Sequence, residues 1–297
     1  MKCAENRDDF SVSMKLEAYP NRDSMVFLDR FGMTDCETFI RGTLRFTGFS
    51  SIISAFHDIG ITSDDPAANG VETLRHLLES RLQGAGGHIS ANQKLVNQHT
   101  DELLPEPKDN SLMKQAFTRI DMSHIKDPTQ IANGIKGIIK TFIFLGFFND
   151  EQKVSIKDSK TGKNKACLDV LGQVMSVKLG MDDHDRDLVV MRHIFHILDP
   201  QTNKRWEHTS TMVASGKCKA DKGETMMSTT VGVTTAFATR LVLEGRIPSR
   251  GVLSPMTPEI YEPILKQLED RGIKMVEESS NPKAMARMQA SHNRPRL

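Results

Sequence analysis

Residues 187–215 read DLVVMRHIFHILDPQTNKRWEHTSTMVAS, and this stretch decides the fold class. β-Branched and aromatic side chains crowd DLVVMRHIFHIL and WEHTSTMVAS, while DPQTNK between them is rich in turn formers, so the pattern predicts two strands joined by a tight turn. A second strand signal lies near the amino terminus, where FSVSMKLEAYP (10–20) alternates and ends in a Pro-Asn turn. Between these sheet segments the chain reads as helix.

From Glu37 to Ile59 apolar residues recur at helical spacing through Phe39, Ile40, Ile52, Ile53, Phe56 and Ile59. The break at Gly42–Phe49 predicts a Gly-flanked turn between two helices, and Thr43 and Arg45 fall in it. TSDDPAANG then opens a polar linker. VETLRHLLESRL, SLMKQAFTRI and PTQIANGIKGIIKTFIFLGFF follow as helices separated by polar loops, so residues 62–150 read as a helical insertion. After the loop DSKTGKN (158–164), ACLDVLGQVMSVKL fits one amphipathic helix. TTVGVTTAFATRLVLEG offers Thr caps and a Gly stop, and TPEIYEPILKQLEDRG starts with Pro258 and stops at Gly272. The tail KAMARMQASHNRPRL is basic and free of acids, and reads as a solvated disordered end.

Composition narrows the function classes. With 39 basic and 38 acidic residues the net charge is +1, so no bulk field draws the chain to nucleic acid or a membrane surface, and anion recognition has to be local. Cys3, Cys36, Cys167 and Cys218 lie far apart without a CxxC pair, which fits a reducing compartment and not a zinc or disulfide scaffold. MKCAENRDDFSVSMKL has neither the apolar core of a signal peptide nor the acid-poor pattern of a transit peptide, and IIKTFIFLGFF (138–148) is too short to span a bilayer. The expected setting is therefore cytoplasmic, with a mitochondrial one if a longer product carries a transit peptide. His193 and His196 stand three apart on a strand, hence on opposite faces, and read as ordinary strand histidines. His184 in DDHDRD reads as part of a solvated acidic turn, and Trp206 and Tyr261 as packing residues. No metal site is expected.

The chemistry concentrates in EAYPNRDSMVFLDRFGMTDCETFIRGTLRFTGF (17–49). Arg22 and Arg45 stand beside turn formers and hydroxyls. A planar guanidinium grips a carboxylate through two charge-assisted hydrogen bonds, and two of them held on turns fix a substrate carrying several carboxylates. The other reading makes each arginine a structural ion-pair partner of Asp23, Asp29 or Glu37. Spacing leaves both open.

EAYPNRDS followed by ETFIRGTLRFTGFS resembles the saccharopine dehydrogenase family, in particular its glutamate-forming reductases and the matching half of bifunctional aminoadipate-semialdehyde synthases. KACLDVLGQVMSVKL, RDLVVMRHIF, TTVGVTTAFATRLVLEGRI and GVLSPMTPEIYEPILKQLEDRGI continue the resemblance in order over about 270 residues. The family implies that Arg22, Thr43, Leu44 and Arg45 contact saccharopine, whose three carboxylates suit two fixed guanidiniums, or a related dicarboxylate amino acid. It implies oxidation of saccharopine with NAD or NADP to glutamate and aminoadipate semialdehyde in lysine metabolism, and a homodimer. It names no acid–base catalyst here.

The chain departs from the family as well. Gly180, Met181, Asp182 and Asp183 stand where relatives usually have Ser-Tyr-Gly-Pro, and Thr234 replaces a common proline. Family members normally begin with a dinucleotide-binding domain whose Gly-rich strand–turn–helix meets the pyrophosphate, and this chain resembles only the carboxyl-terminal part. QGAGGHIS (83–90) lacks that context and reads as a loop. No Rossmann domain and no cofactor-binding residue are therefore expected.

The fold implied is α+β: a mixed sheet covered by helices on one side, like the carboxyl-terminal domain of glyceraldehyde-3-phosphate dehydrogenase, with residues 10–20 and 187–214 in one sheet and the last two helices at its edge. The expected organisation is 1–61 as the first part of a substrate domain, 62–150 as its helical insertion, 151–280 as the remainder and 281–297 as a disordered tail. The alternative to an enzyme part is a non-catalytic remnant that binds a dicarboxylate amino acid or serves as a dimerisation module.

Overall fold

The computed structural model describes residues 14–83, 92–283 and 285–286. In chain order its elements are β1 (Leu16–Pro20), α1 (Leu28–Phe31), β2 (Gly42–Phe46), α2 (Phe49–Ile59), α3 (Leu74–Leu82), α4 (Gln93–Leu103), α5 (Pro107–Phe117), α6 (Pro128–Leu145), α7 (Cys167–Lys178), β3 (Leu188–Asp199), β4 (Lys204–Ser215), α8 (Met226–Leu243), α9 (Pro258–Glu269) and β5 (Val276–Ser279). The described residues form two compact units, 14–19 with 42–180 and 20–41 with 181–286.

The first unit is helical, with β1 and β2 at its start. The Asn21 N–H donates to the Arg41 carbonyl (2.8 Å) and the Thr47 N–H to the Lys15 carbonyl (3.1 Å). Both pairs sum to the same register, so β1 and β2 run antiparallel with Glu17 opposite Arg45 and Tyr19 opposite Thr43. The Gly42–Phe49 segment is thus a strand leading into a helix and not a turn between two helices, and residues 37–41 are not helical. The physical reason is pairing: Thr43, Leu44 and Phe46 fit a pleated surface, and β1 supplies the backbone partners that the local helical spacing of Phe39 and Ile40 cannot.

Helix α6 organises the core. Asp127 caps it by accepting from the Thr129 N–H, Pro128 stands at its first position, and Gly146 ends it at φ +93°. Ile131, Ile135, Ile138, Ile139, Phe142 and Leu145 line its buried face. Phe142 meets Phe147 at 4.4 Å and Phe56 of α2 at 5.2 Å between ring centroids. Full burial of each ring stabilises the unit by about 1.5–3 kcal/mol. No helix among the described residues is long and apolar enough to cross a membrane. Helix α4 is absent from the sequence reading because QKLVNQHTDEL is largely polar. It buries Val96, His99 and Thr100, and the Thr100 hydroxyl donates back to the Val96 carbonyl at 2.6 Å.

In the second unit β3 and β4 pair from Leu188↔Ser215 to Asp199↔Lys204, and β5 adds to β4 at His208↔Ser279 through Thr211↔Val276, all antiparallel. Glu277 fastens β5: the His208 ring Nε2 and the Ser210 hydroxyl each lie 2.6 Å from its carboxylate. Helices α8 and α9 pack through Phe237, Leu241, Ile260, Ile264 and Leu268. Helix α8 begins at Met226, three residues before the sequence reading, because Thr225 is its cap and accepts from the Ser228 N–H.

The α+β class holds. The single mixed sheet does not: among the described residues β1 pairs with β2 alone, and β3, β4 and β5 form a separate sheet. Short antiparallel hairpins satisfy their own backbone groups locally, so β1 needs no place beside β3. The start of the expected first strand (10–13), most of QGAGGHIS and most of the basic tail lie outside the described residues.

Candidate functional site

Alternation along β2 sorts the predicted residues. Thr43 and Arg45 share one face with Glu17 and Tyr19 of β1, and Leu44 points to the other face. Thr43 and Leu44 are half-buried, and Arg45 is exposed. Arg45 donates from Nη1 to the Leu44 carbonyl (2.9 Å), and its guanidinium carbon lies 5.4 Å from the centroid of Phe49, the first residue of α2. The Phe49 ring in turn stacks with Tyr19 at 6.3 Å, the two planes 9° apart.

Glu17 faces Arg45 across the strand pair but is engaged elsewhere. Its Oε2 accepts from the Gly48 N–H (2.9 Å) and its Oε1 from the Ser50 N–H (2.6 Å), so the carboxylate closes the amino end of α2. Burial pushes the Glu17 carboxyl up, but the Ser50 and Gly48 hydrogen bonds outweigh it and hold the group below its ordinary 4.5. Gly48 turns the chain between β2 and α2 at φ +101°, a conformation that favours glycine.

Arg22 lies in the segment between the strands and has φ +59°, a left-handed backbone uncommon for a residue with a Cβ. The turn is held from both sides: the Asn21 N–H reaches the Arg41 carbonyl, and the Asp23 carboxylate accepts from the Met25 N–H at 2.9 Å. The Arg22 side chain is exposed. Among the described residues neither Arg22 nor Arg45 forms an ion pair, with Asp23, Asp29, Glu37 or any other acid.

A third arginine, Arg41, went unremarked in the sequence. The buried Ser24 hydroxyl accepts from both its backbone N–H (3.2 Å) and its Nε (3.3 Å), and its guanidinium lies 4.3 Å from the Phe27 centroid. Arg41 therefore closes the segment that carries Arg22. Its place one residue before Gly42 was visible, but Ser24 is seventeen residues away and no local pattern links them.

The other flagged residues are plain. His193 and His196 pair with Ser210 and Glu207, so they face opposite sides of the sheet. Asp182 accepts from the His184 and Asp185 N–H groups, forming a turn. Cys36, Cys167 and Cys218 form no disulfide among the described residues. No group of three or more metal-ligating side chains occurs among the described residues.

The family whose sequence profile matches is described as saccharopine dehydrogenase C-terminal domain, over residues 1–117 and 88–273. The chain belongs to that family. A saccharopine dehydrogenase [NADP(+), L-glutamate-forming] of Saccharomyces cerevisiae is 33% identical over 265 residues, which cover 88% of this chain and 50% of the relative. The alpha-aminoadipic semialdehyde synthase of Arabidopsis thaliana is 30% identical over 266 residues, 89% of this chain and 23% of the relative. Apo histidine-tagged saccharopine dehydrogenase (L-Glu forming) from Saccharomyces cerevisiae superposes with a TM-score of 0.67 at 28% identity, over 90% of this chain and 52% of that one. The chain thus spans about half or less of the length of these relatives.

The yeast relative's name carries NADP, and the described residues do not fit that group. A dinucleotide pyrophosphate needs free amides at a helix start that follows a strand. Three described helices follow strands; α1 is a single turn of four residues, and the starts of α2 and α8 are filled from within. Glu17 takes the Gly48 and Ser50 amides of α2, and Asp187 takes the Met226 and Met227 amides of α8, each at 2.7 Å. No hydride step is assigned to these residues.

Proposed function

We propose that this chain is the substrate-holding part of a glutamate-forming saccharopine dehydrogenase. In this reading Arg22 and Arg45 each take a carboxylate of saccharopine. The Thr43 hydroxyl, on the face of Arg45, adds a neutral hydrogen bond, and Leu44, whose side chain lies on the other face, contacts the substrate through its backbone. The reaction oxidises saccharopine to glutamate and aminoadipate semialdehyde, and a dinucleotide domain outside the described residues holds NAD or NADP. Arg22 and Arg45 orient the substrate and do not exchange protons.

One observation carries the reading: among the described residues Arg45 has no acidic partner, although a glutamate stands directly across from it. A guanidinium with one nitrogen on the Leu44 carbonyl and an aromatic ring beside it keeps further donors for an external carboxylate. Membership of the saccharopine dehydrogenase family supplies the substrate class. The reading carries with it a homodimer, a cytoplasmic setting, and a substrate domain of residues 1–61 and 151–280 interrupted by the helical block 62–150.

Calorimetric titration of the chain with saccharopine, and with lysine as comparator, tests it. Lysine lacks the two carboxylates of the glutarate arm. Saccharopine is expected to bind at least tenfold more tightly, and equal or absent binding of both would remove the substrate assignment.

A further inference from the structure

We propose that Glu17 is a positioning residue for Arg45: by locking the start of α2 against the strand pair it sets Phe49 beneath the guanidinium, and by staying bound to α2 it does not pair with Arg45 itself. The proposal rests on the reading of Arg45 as a carboxylate clamp.

Three observations converge. Glu17 and Arg45 form a directly opposed pair of β1 and β2, where side chains of opposite charge ordinarily meet. Both Glu17 oxygens are nevertheless engaged at Gly48 and Ser50, the residues on either side of Phe49. Phe49 is also the residue whose ring touches both Arg45 and Tyr19. The two amide bonds therefore act on the ring that supports the guanidinium: they fix the backbone immediately before and after it. A guanidinium resting on a ring keeps one plane, and a fork with a fixed plane meets a carboxylate along one line of approach.

The arrangement also controls charge. Released from α2, the Glu17 carboxylate has Arg45 as its nearest opposed cation, and an internal pair would occupy the fork. The structure contains a matched cap without such a neighbour in β2. Asp187 holds the first amides of α8 through both oxygens in the same way, and it serves as the control for loss of a cap alone.

The test uses the chain labelled with 15N-arginine, with the Arg45 Nε–Hε resonance assigned by its loss in Arg45→Lys. In the wild type this proton is expected to carry a ring-current shift from Phe49. Glu17→Ala and Phe49→Leu should both move it toward the position of a solvated arginine and weaken saccharopine binding at least tenfold, whereas Asp187→Ala should lower Tm and change neither reading. If Glu17→Ala does not fold, Glu17→Gln and Phe49→Leu decide.

An Arg45 resonance that stays in place when Glu17 is replaced, or one that moves with affinity unchanged, overturns the proposal and leaves Glu17 as an ordinary cap. If the wild type does not bind saccharopine, the substrate reading fails, and the resonance still decides whether Glu17 and Phe49 set the guanidinium.

Discussion

The Ser24 hydroxyl receives two hydrogen bonds from Arg41, one from the backbone and one from the guanidinium, and so joins residues seventeen positions apart. The side-chain bond sets Arg41 apart from Arg22 and Arg45. Ser24 is 5% exposed, so removal of its oxygen leaves the Arg41 N–H without its partner at a site with little water. Ser24→Ala should lower unfolding free energy by about 1–3 kcal/mol, read as a lower denaturant midpoint at constant slope. A loss below about 0.5 kcal/mol would mean that the segment is held by something else.

Arg22→Gly makes the opposite case. Glycine adopts φ +59° without the Cβ clash, but it also gains freedom in the unfolded chain, so stability should stay within about 1 kcal/mol of wild type. Saccharopine affinity should fall all the same, because the guanidinium is gone. A mutant that binds normally would show that the left-handed arginine serves the turn and not the ligand.

Glu17 gives the acid limb a defined sign. Its carboxyl is held below the ordinary 4.5, so its contribution is fully present above about pH 4.5 and disappears as pH falls through the lower folded value. Replacement by Gln removes this titration. Unfolding midpoints of wild type and Glu17→Gln, followed from pH 6 down to pH 3, should differ most at the upper end and converge at the lower. A constant gap across the range would contradict the assignment of that carboxylate to the α2 amides.

The filled starts of α2 and α8 predict that the chain does not hold a dinucleotide by itself. Titration into NADPH, watched by nicotinamide fluorescence, should give no saturable change. Submillimolar affinity would place a pyrophosphate site in this chain that Glu17 and Asp187 do not block.

Much of this fold was legible in the sequence, for physical reasons that can be named. The β3–β4 pair was visible because β-branched and aromatic residues run for twelve positions on each side of a polar turn, and α6 because Asp127, Pro128 and Gly146 punctuate an apolar stripe. Helix α4 was hidden because its buried face uses His99 and Thr100 in place of aliphatic residues. Strand β5 was hidden because VEES has one apolar residue and is held by Glu277 reaching His208 and Ser210, a contact made across sixty-seven or more positions. Residues 42–49 were misread because Gly42 and Gly48 suggest a turn, whereas the strand between them depends on a partner twenty-odd residues earlier.

The candidate site divides in the same way. The residue types at Arg22 and Arg45 pointed to carboxylate recognition, but sequence spacing left an internal ion pair open. Glu17, which stands opposite Arg45, is engaged with Gly48 and Ser50 instead, an arrangement that depends on the turn between β2 and α2 and has no local signature. Phe49 is likewise adjacent in sequence to nothing that suggests it supports a guanidinium.

The central claim is that Arg45 is a carboxylate clamp, and calorimetric titration of saccharopine into wild type and Arg45→Lys tests it most directly. Lysine keeps the charge and loses the fork, so affinity should fall by about 2 kcal/mol, roughly thirtyfold, with Tm nearly unchanged. An Arg45→Lys chain that melts lower but binds saccharopine as tightly as wild type would contradict the account and make Arg45 a structural residue.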